Sequence, residues 1–258
     1  MPCLYYIINT LLLQMIQISN QLPSDKQPEV IFLDAMGTLF DLKTSVGEIY
    51  QEFARKYGVE VNSEQIQQAF IKSFKSAPPL AFCPNELTII KQQEFNWWKQ
   101  IVSTTFQQLK LREKFTDFDA FFNEVYLYFE TKEPWYLFPD TLDSLMRWRD
   151  RGIELGVISN FDSRLITVLH LLELDRFFSS TTISSIAGFA KPEANIFQIA
   201  LAKHNVTFHA AQAALHIGDN PVEDYEGAIN AGLRSFWLNR HARLLNIDNQ
   251  LPNLCSLG

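Results

Sequence analysis

Short runs of consecutive apolar residues, each closed by Gly, Ser or Asp, alternate along this chain with stretches whose apolar positions fall three and four apart. Val30–Asp34 (VIFLD), Ile153–Ser159 (IELGVIS), Thr181–Ser184 (TTIS), Ala214–Asp219 (ALHIGD) and Leu233–Leu238 (LRSFWL) are of the first kind. Runs without polar alternation predict strands buried on both faces of a parallel sheet. The second kind predicts helices. Asp162 stands where it can cap a segment with Leu165, Val168, Leu169 and Leu172 on one stripe, and Pro192, favoured in a first turn, opens another with Ile196, Phe197, Ala200 and Leu201 as its apolar face. Strand–helix alternation predicts an α/β fold, a doubly wound, mainly parallel, Rossmann-like core.

The interval between the first two strands breaks this alternation. From Thr44 to Lys132 the pattern is helical throughout. Ser45 and Glu48 have capping-box spacing ahead of Val46, Ile49, Tyr50, Phe53, Ala54 and Tyr57, with Gly58 as a stop, and Asn62 and Gln65 repeat that logic before Ile66, Ala69, Phe70 and Phe74. A third segment carries Leu87, Ile90, Trp97, Trp98 and Ile101; a fourth carries Phe118, Phe121, Phe122, Val125, Tyr126 and Phe129. About four amphipathic helices predict an inserted helical-bundle cap with an aromatic core. The expected organisation is a core of residues 28–43 plus 133–240, a cap of 44–132 and a C-terminal tail of 241–258.

Composition narrows the function classes. The 258 residues are 47% hydrophobic, enough for a sizeable core, and the net charge of −7 argues against a nucleic-acid backbone as partner. Cys3, Cys83 and Cys255 have no ligand spacing, so neither a disulfide framework nor a zinc site is expected, and a reducing, cytoplasmic setting fits. Met1–Ser24 holds no charged side chain, and the first basic one is Lys26. A secretory signal needs a positive start, and Asn9, Gln14 and Gln17 interrupt the roughly 20-residue apolar run a membrane span needs. Residues 1–27 therefore read as a poorly ordered leader, an extension upstream of Met15, with no stable membrane insertion expected.

In an open α/β sheet, ligands bind outside the C-terminal ends of the strands. Asp34, Ser159 and Asp219 stand at such ends; Lys191 precedes the helix start at Pro192, and Asp224 lies five residues past Asp219. One fold rule thus brings three carboxylates, a hydroxyl and a lysine to one rim. Clustered carboxylates repel each other unless a cation intervenes, and hard oxygens suit Mg²⁺. A carboxylate attacking phosphorus approaches an anion, so a metal and a lysine that neutralise phosphoryl oxygens favour that attack. Ser159 and the amides of the Met36–Gly37–Thr38 turn are candidates to hold the remaining oxygens. The five histidines are paired with no nucleophile, His216 reading as part of a buried strand.

The stretches DAMGTLFD, VISN, AKPEANIF and IGDNPVEDYEGAINAG resemble the four ordered motifs of the haloacid dehalogenase-like (HAD) hydrolase superfamily, and the helical insertion is similar to its subfamily I cap. The resemblance spans Val30 to Leu238. It implies Asp34 as nucleophile, Ser159 as a hydrogen-bonding group for substrate oxygens, Lys191 as charge neutraliser and Asn160 beside them. It also implies that Asp34, the main-chain carbonyl of Met36 and Asp219 ligate Mg²⁺, with Asp224 in support.

Met36 departs from the pattern. Superfamily phosphatases usually carry an aspartate there, which protonates the leaving alcohol and then activates water; methionine does neither, at a typical cost of about 10²–10⁴-fold. The carbonyl ligand survives, since every residue has one. Haloacid dehalogenases also lack this acid, and DAMGTLF is close to their pattern, yet they need no metal and have a non-acidic residue matching Asp219. Phosphonate hydrolases use a cap lysine instead, and Lys56, Lys72, Lys75, Lys91 and Lys99 are all available. The expectation is a Mg²⁺-dependent hydrolase of small phosphorylated metabolites with good leaving groups. The alternatives are a dehalogenase-type hydrolase and a low-turnover phosphometabolite-binding regulator; monomer and homodimer stay equally open.

Overall fold

The structure is a computed structural model that describes residues 27–240 and 249–257. The expected leader, up to residue 26, lies outside the described residues.

Six parallel strands form the main sheet in the order β5-β4-β1-β6-β7-β8: β1 (Val30–Leu33), β4 (Glu154–Ser159), β5 (Ser180–Ile183), β6 (Ala214–Gly218), β7 (Arg234–Leu238) and β8 (Gln250–Leu251). The order reverses at β1, which lies between β4 and β6, and this is the place where an open sheet presents its ligand crevice. β1 is buried along its whole length and ends at Asp34. Leu155, Val157, Leu215 and Ile217 extend one core layer against Trp148 and Leu165; Phe32, Ile158, Phe197 and Leu201 build the layer on the other face.

Two features carried no sequence signal. Phe40–Leu42 (β2) and Trp135–Leu137 (β3) pair as a separate antiparallel ribbon at the two places where the chain leaves and re-enters the core. The segment marked as a tail contributes β8, and Leu251 and Leu254 are buried in the core. Elsewhere boundaries shift: β5 begins one residue before the expected Thr181, and the helix expected from Pro192 runs Ala194–Ala202.

Between β2 and β3 lie α1 (Val46–Lys56), α2 (Ser63–Lys75), α3 (Leu87–Gln108) and α4 (Phe118–Tyr128). The capping box at Ser45 forms in full: its hydroxyl accepts from Glu48 N, and the Glu48 carboxylate accepts from Ser45 N at 2.8 Å. Asn62 caps α2 from its side chain. Tyr50, Phe106, Phe121 and Phe122 make a core distinct from those of the sheet, as the apolar stripes predict. Helices α5 (Thr141–Asp150), α6 (Arg164–Leu171), α7 (Ser184–Ala187), α8 (Ala194–Ala202) and α9 (Gly227–Asn230) complete the order. Among the described residues no helix is long and apolar enough to cross a membrane.

Candidate active site

Asp34 emerges from β1 with its N–H donated to Ile217 O. The chain then folds over itself: Leu39 N donates to Ala35 O at 2.8 Å and Gly37 N to Phe40 O at 2.8 Å. Gly37 has φ +84, and a Cβ there would come within 2.6 Å of the Asp219 carboxylate, so two independent demands select glycine. The Gly37 and Thr38 amides are engaged inside the turn, and the Thr38 side chain is fully buried, its hydroxyl 3.5 Å from Asp219 Oδ1. These two residues shape the loop under Asp219.

Lys191 is the centre of the cluster. Its side chain is 1% exposed, and its Nζ lies 2.6 Å from Asp34 Oδ1 and 2.5 Å from Asp224 Oδ1. Burial alone would favour the neutral amine, but the Asp224 and Asp34 charges more than reverse that and hold the ammonium. Asp224 has both oxygens engaged: Oδ1 also accepts from His216 Nε2 at 2.9 Å, and Oδ2 accepts from Asn220 N at 3.0 Å. Burial would raise its acid, yet Lys191 and the His216 hydrogen bond hold it below the ordinary carboxylate range. Asp34, by contrast, is raised by burial; Lys191 opposes that, and the Asp224 charge adds to it. Asp219 keeps an exposed edge, yet the partial burial of its carboxyl, and after it the Asp34 and Asp224 charges, push its acid up to about 7.

Asn160 holds Lys191 in place. Its carbonyl accepts from Lys191 N at 2.7 Å, and its amide donates to Lys191 O and to Glu223 Oε2. Both ends of the side chain are thus engaged within the protein, and Asn160 ties the lysine loop to the end of β4. Ser159 is buried at the end of β4, as expected. His216 and Glu223 escaped sequence reasoning: a histidine within an apolar run reads as core, and Glu223 carries no spacing signal. His204 does pair with a hydroxyl, bridging Ser180 Oγ (2.6 Å) and Glu154 (2.5 Å), but at the opposite end of the strands.

Gly218 is the tightest point behind the site, where an added Cβ would lie 2.1 Å from Asp224 Cγ. Replacing Gly218 by alanine should push Asp224 off Lys191, cutting turnover by about 10²-fold or more and costing about 1–3 kcal/mol of stability by overpacking. Turnover assays and urea unfolding read both; wild-type turnover in the variant would remove Asp224 from the account of catalysis.

Above the cluster lies a cavity of about 660 Å³ between the sheet's rim and the helical insert. Met36, Asn160, Lys191 and Glu223 line it from the core side, and Phe74, Trp97 and Trp98 from the insert. A buried polar latch fastens insert to core beside it. Glu94 of α3 accepts from Ser163 N, Ser163 Oγ and Ser185 Oγ at 2.8, 2.6 and 2.5 Å. Trp98 Nε1 donates to Asp162 Oδ2 at 2.6 Å, and Arg164, paired with Asp162, donates to Tyr126 O.

An acid-and-lysine cluster at the switch point of a parallel sheet, under a helical insert, is a covered polar site on a doubly wound α/β fold. A family model described as haloacid dehalogenase-like hydrolase matches residues 28–232. The curated protein named Haloacid dehalogenase-like hydrolase domain-containing protein 3 from Bos taurus is 33% identical over 210 residues, covering 81% of each chain. Its Danio rerio counterpart is 32% identical, covering 81% of this chain and 84% of its own length. Among solved structures, L-2-haloacid dehalogenase from Xanthobacter autotrophicus superposes with TM-score 0.67 at 15% identity, covering 90% of this chain and 97% of that one. A magnesium-bound HAD-hydrolase, YfnB from Bacillus subtilis, superposes with TM-score 0.63 at 18% identity, over 90% and 97%. The chain belongs to the haloacid dehalogenase-like hydrolase family and is a hydrolase.

Proposed function

We propose that this hydrolase is Mg²⁺-dependent and uses Asp34 as a nucleophile on small phosphorylated molecules with good leaving groups, under the insert acting as a cap. The observation that carries this reading is the ammonium of Lys191 set between Asp34 and Asp224, with Asp219 beside them. The donor set fits the metal: Asp34, Asp219 and Asp224 offer oxygens within 4.8 Å of one another, and a cation would offset the burial and the like-charge repulsion that together raise Asp219. Asp34 and Asp219 would hold it, with the Met36 carbonyl; Asp224, its oxygens engaged, stands behind them. When bound, Mg²⁺ supplies positive charge against the phosphoryl oxygens.

The chain's own residues do the rest. A carboxylate oxygen of Asp34 attacks phosphorus, and the bond to the leaving oxygen breaks with its electron pair going to that oxygen. Lys191 neutralises the phosphoryl oxygens, and Ser159 donates to one. Water then releases phosphate from the aspartyl phosphate and restores the carboxylate. Met36 provides no proton to the departing oxygen, which is why acyl, enol or aryl phosphates suit the site better than alkyl phosphates.

Phosphate release from acetyl phosphate and p-nitrophenyl phosphate tests this. Turnover with Mg²⁺ should fall at least about 10²-fold in EDTA. Mg²⁺ affinity should weaken as pH drops below the Asp219 value of about 7, because binding requires the carboxylate. Metal-independent halide release from a 2-haloacid would replace the reading with a dehalogenase, and ligand-induced stabilisation without product with a binding protein. Replacing Met36 by aspartate should raise turnover of alkyl phosphates by about 10²-fold or more, measured against the unchanged chain; no gain would mean another group already serves as the acid.

A further inference from the structure

We propose that the substrate is an aryl phosphate, the phosphate monoester of an uncharged aromatic alcohol, whose ring system occupies the cavity under the insert. This narrows the phosphoryl-hydrolase reading above and rests on it.

The wall of the cavity carries the argument. Ten of its 26 lining residues are aromatic. On the insert side Phe70 stacks on Phe74 (5.8 Å between centroids), Phe74 on Trp98 (5.9 Å), and Trp97 meets Trp98 edge-on (4.9 Å). On the other side Trp135 lies against Phe161 at 6.1 Å. The polar edges of these rings are turned to the protein: Trp97 Nε1 donates to Pro78 O, Trp98 Nε1 to Asp162 and Trp135 Nε1 to Phe129 O. With the indole N–H groups engaged, the Phe and Trp part of the wall offers ring surface, which favours a flat apolar group through offset-stacked or edge contacts, while Tyr50 and Tyr126 add two hydroxyls.

Charge in the wall points the same way. Arg164 borders the cavity, but its guanidinium donates to Asp162 through Nε and Nη2 and to Tyr126 O through Nη1. Lys75 ends α2 and is exposed. Lys191, Asn160 and Glu223 gather beside Asp34, where a phosphoryl group would lie, and apart from Arg164, Lys75 and two tyrosines the rest of the wall is apolar. A second charged group reaching Arg164 would have to displace its ion pair with Asp162. The volume suits a one- or two-ring guest, since small-molecule sites commonly span about 300–1,000 Å³.

Met36 supplies an independent argument. Its side chain is 37% exposed and lines the cavity at the Asp34 end, where a thioether can meet an aromatic edge but cannot donate a proton. A phenolate departs without one, because a phenol's acid lies near 10, far below that of an alkyl alcohol. The apolar wall and the missing acid thus select the same leaving group.

The test compares kcat/KM for 1-naphthyl phosphate, acetyl phosphate and glycerol 3-phosphate with Mg²⁺. Acetyl phosphate has the better leaving group and no ring, so it separates cavity from leaving-group effects. Naphthyl phosphate is expected to exceed it by at least about tenfold, chiefly through KM. In Phe74→Ala, a change at a 45% exposed ring that the fold should tolerate, the KM for naphthyl phosphate should rise severalfold more than that for acetyl phosphate. Equal or better use of acetyl or glycerol phosphate overturns the proposal and leaves the hydrolase reading standing. If no phosphate turns over, the phosphoryl-hydrolase reading fails, and calorimetry on Asp34→Asn decides the cavity. Naphthyl phosphate binding tighter than inorganic phosphate, with a negative heat-capacity change, supports the apolar site; binding no tighter than phosphate ends it.

Discussion

Replacing Asp34 by asparagine is expected to abolish phosphate release, by on the order of 10⁴-fold or more, while leaving the fold intact. Asparagine has the shape of aspartate but no anionic oxygen, so the first bond to phosphorus cannot form. The neighbourhood tolerates the change because Lys191 keeps Asp224 as its partner at 2.5 Å and is not left as an unpaired buried charge. Urea unfolding should therefore move by only about 1 kcal/mol. Retained turnover in a folded variant would show that another group is the nucleophile.

Replacing Lys191 by methionine should be costly in both activity and stability. The change removes the single cation set between Asp34 and Asp224 and leaves two carboxylates, 10% and 2% exposed, facing each other. Breaking a buried pair from one side typically costs about 3–5 kcal/mol, and losing a positive group aimed at transferring oxygens costs about 10²–10³-fold in turnover. The loss should depend on pH with a definite sign. Without the ammonium, the acids of Asp34 and Asp224 rise above their unfolded values, so the folded state is favoured when they are protonated. That contribution is present at low pH and disappears as pH climbs through the raised values. The variant should thus lose ground to the wild type from pH 5 to pH 8 in urea unfolding. Adding Asp34→Asn should restore part of the deficit, and strict additivity of the two changes would mean the groups do not interact.

These effects are large because the cluster is compact, and its compactness was legible in advance for a simple reason. Asp34, Ser159 and Asp219 each close an apolar run, and parallel strands deliver the residues after their C-terminal ends to one rim. Local signals also sufficed where the physics is local, as at the Ser45–Glu48 box. What stayed illegible depends on contacts between distant residues. β2 and β3 are three residues each, too short for a period, and are joined only through the insert. His216 looks like any residue of a buried strand until Asp224 is seen 2.9 Å from its Nε2. Glu94 looks like a helix-surface acid, yet it is fully buried against Ser163 and Ser185, which raises its acid despite their hydrogen bonds. Gly37 and Thr38 show the converse: the turn was foreseen, while the hydrogen bonds their amides make inside it were not.

The C-terminal segment bears on where this protein can be cut. The family match stops at residue 232, yet Trp237 Nε1 donates to Asp219 O and Arg240 Nη2 donates to Thr38 O, holding the loops of two site acids from behind. Arg240 is itself clamped by Asp140, whose other oxygen accepts from Leu254 N. A chain trimmed to the family boundary would lose two edge strands and these braces together, so the smallest portable version of the site runs through Leu254.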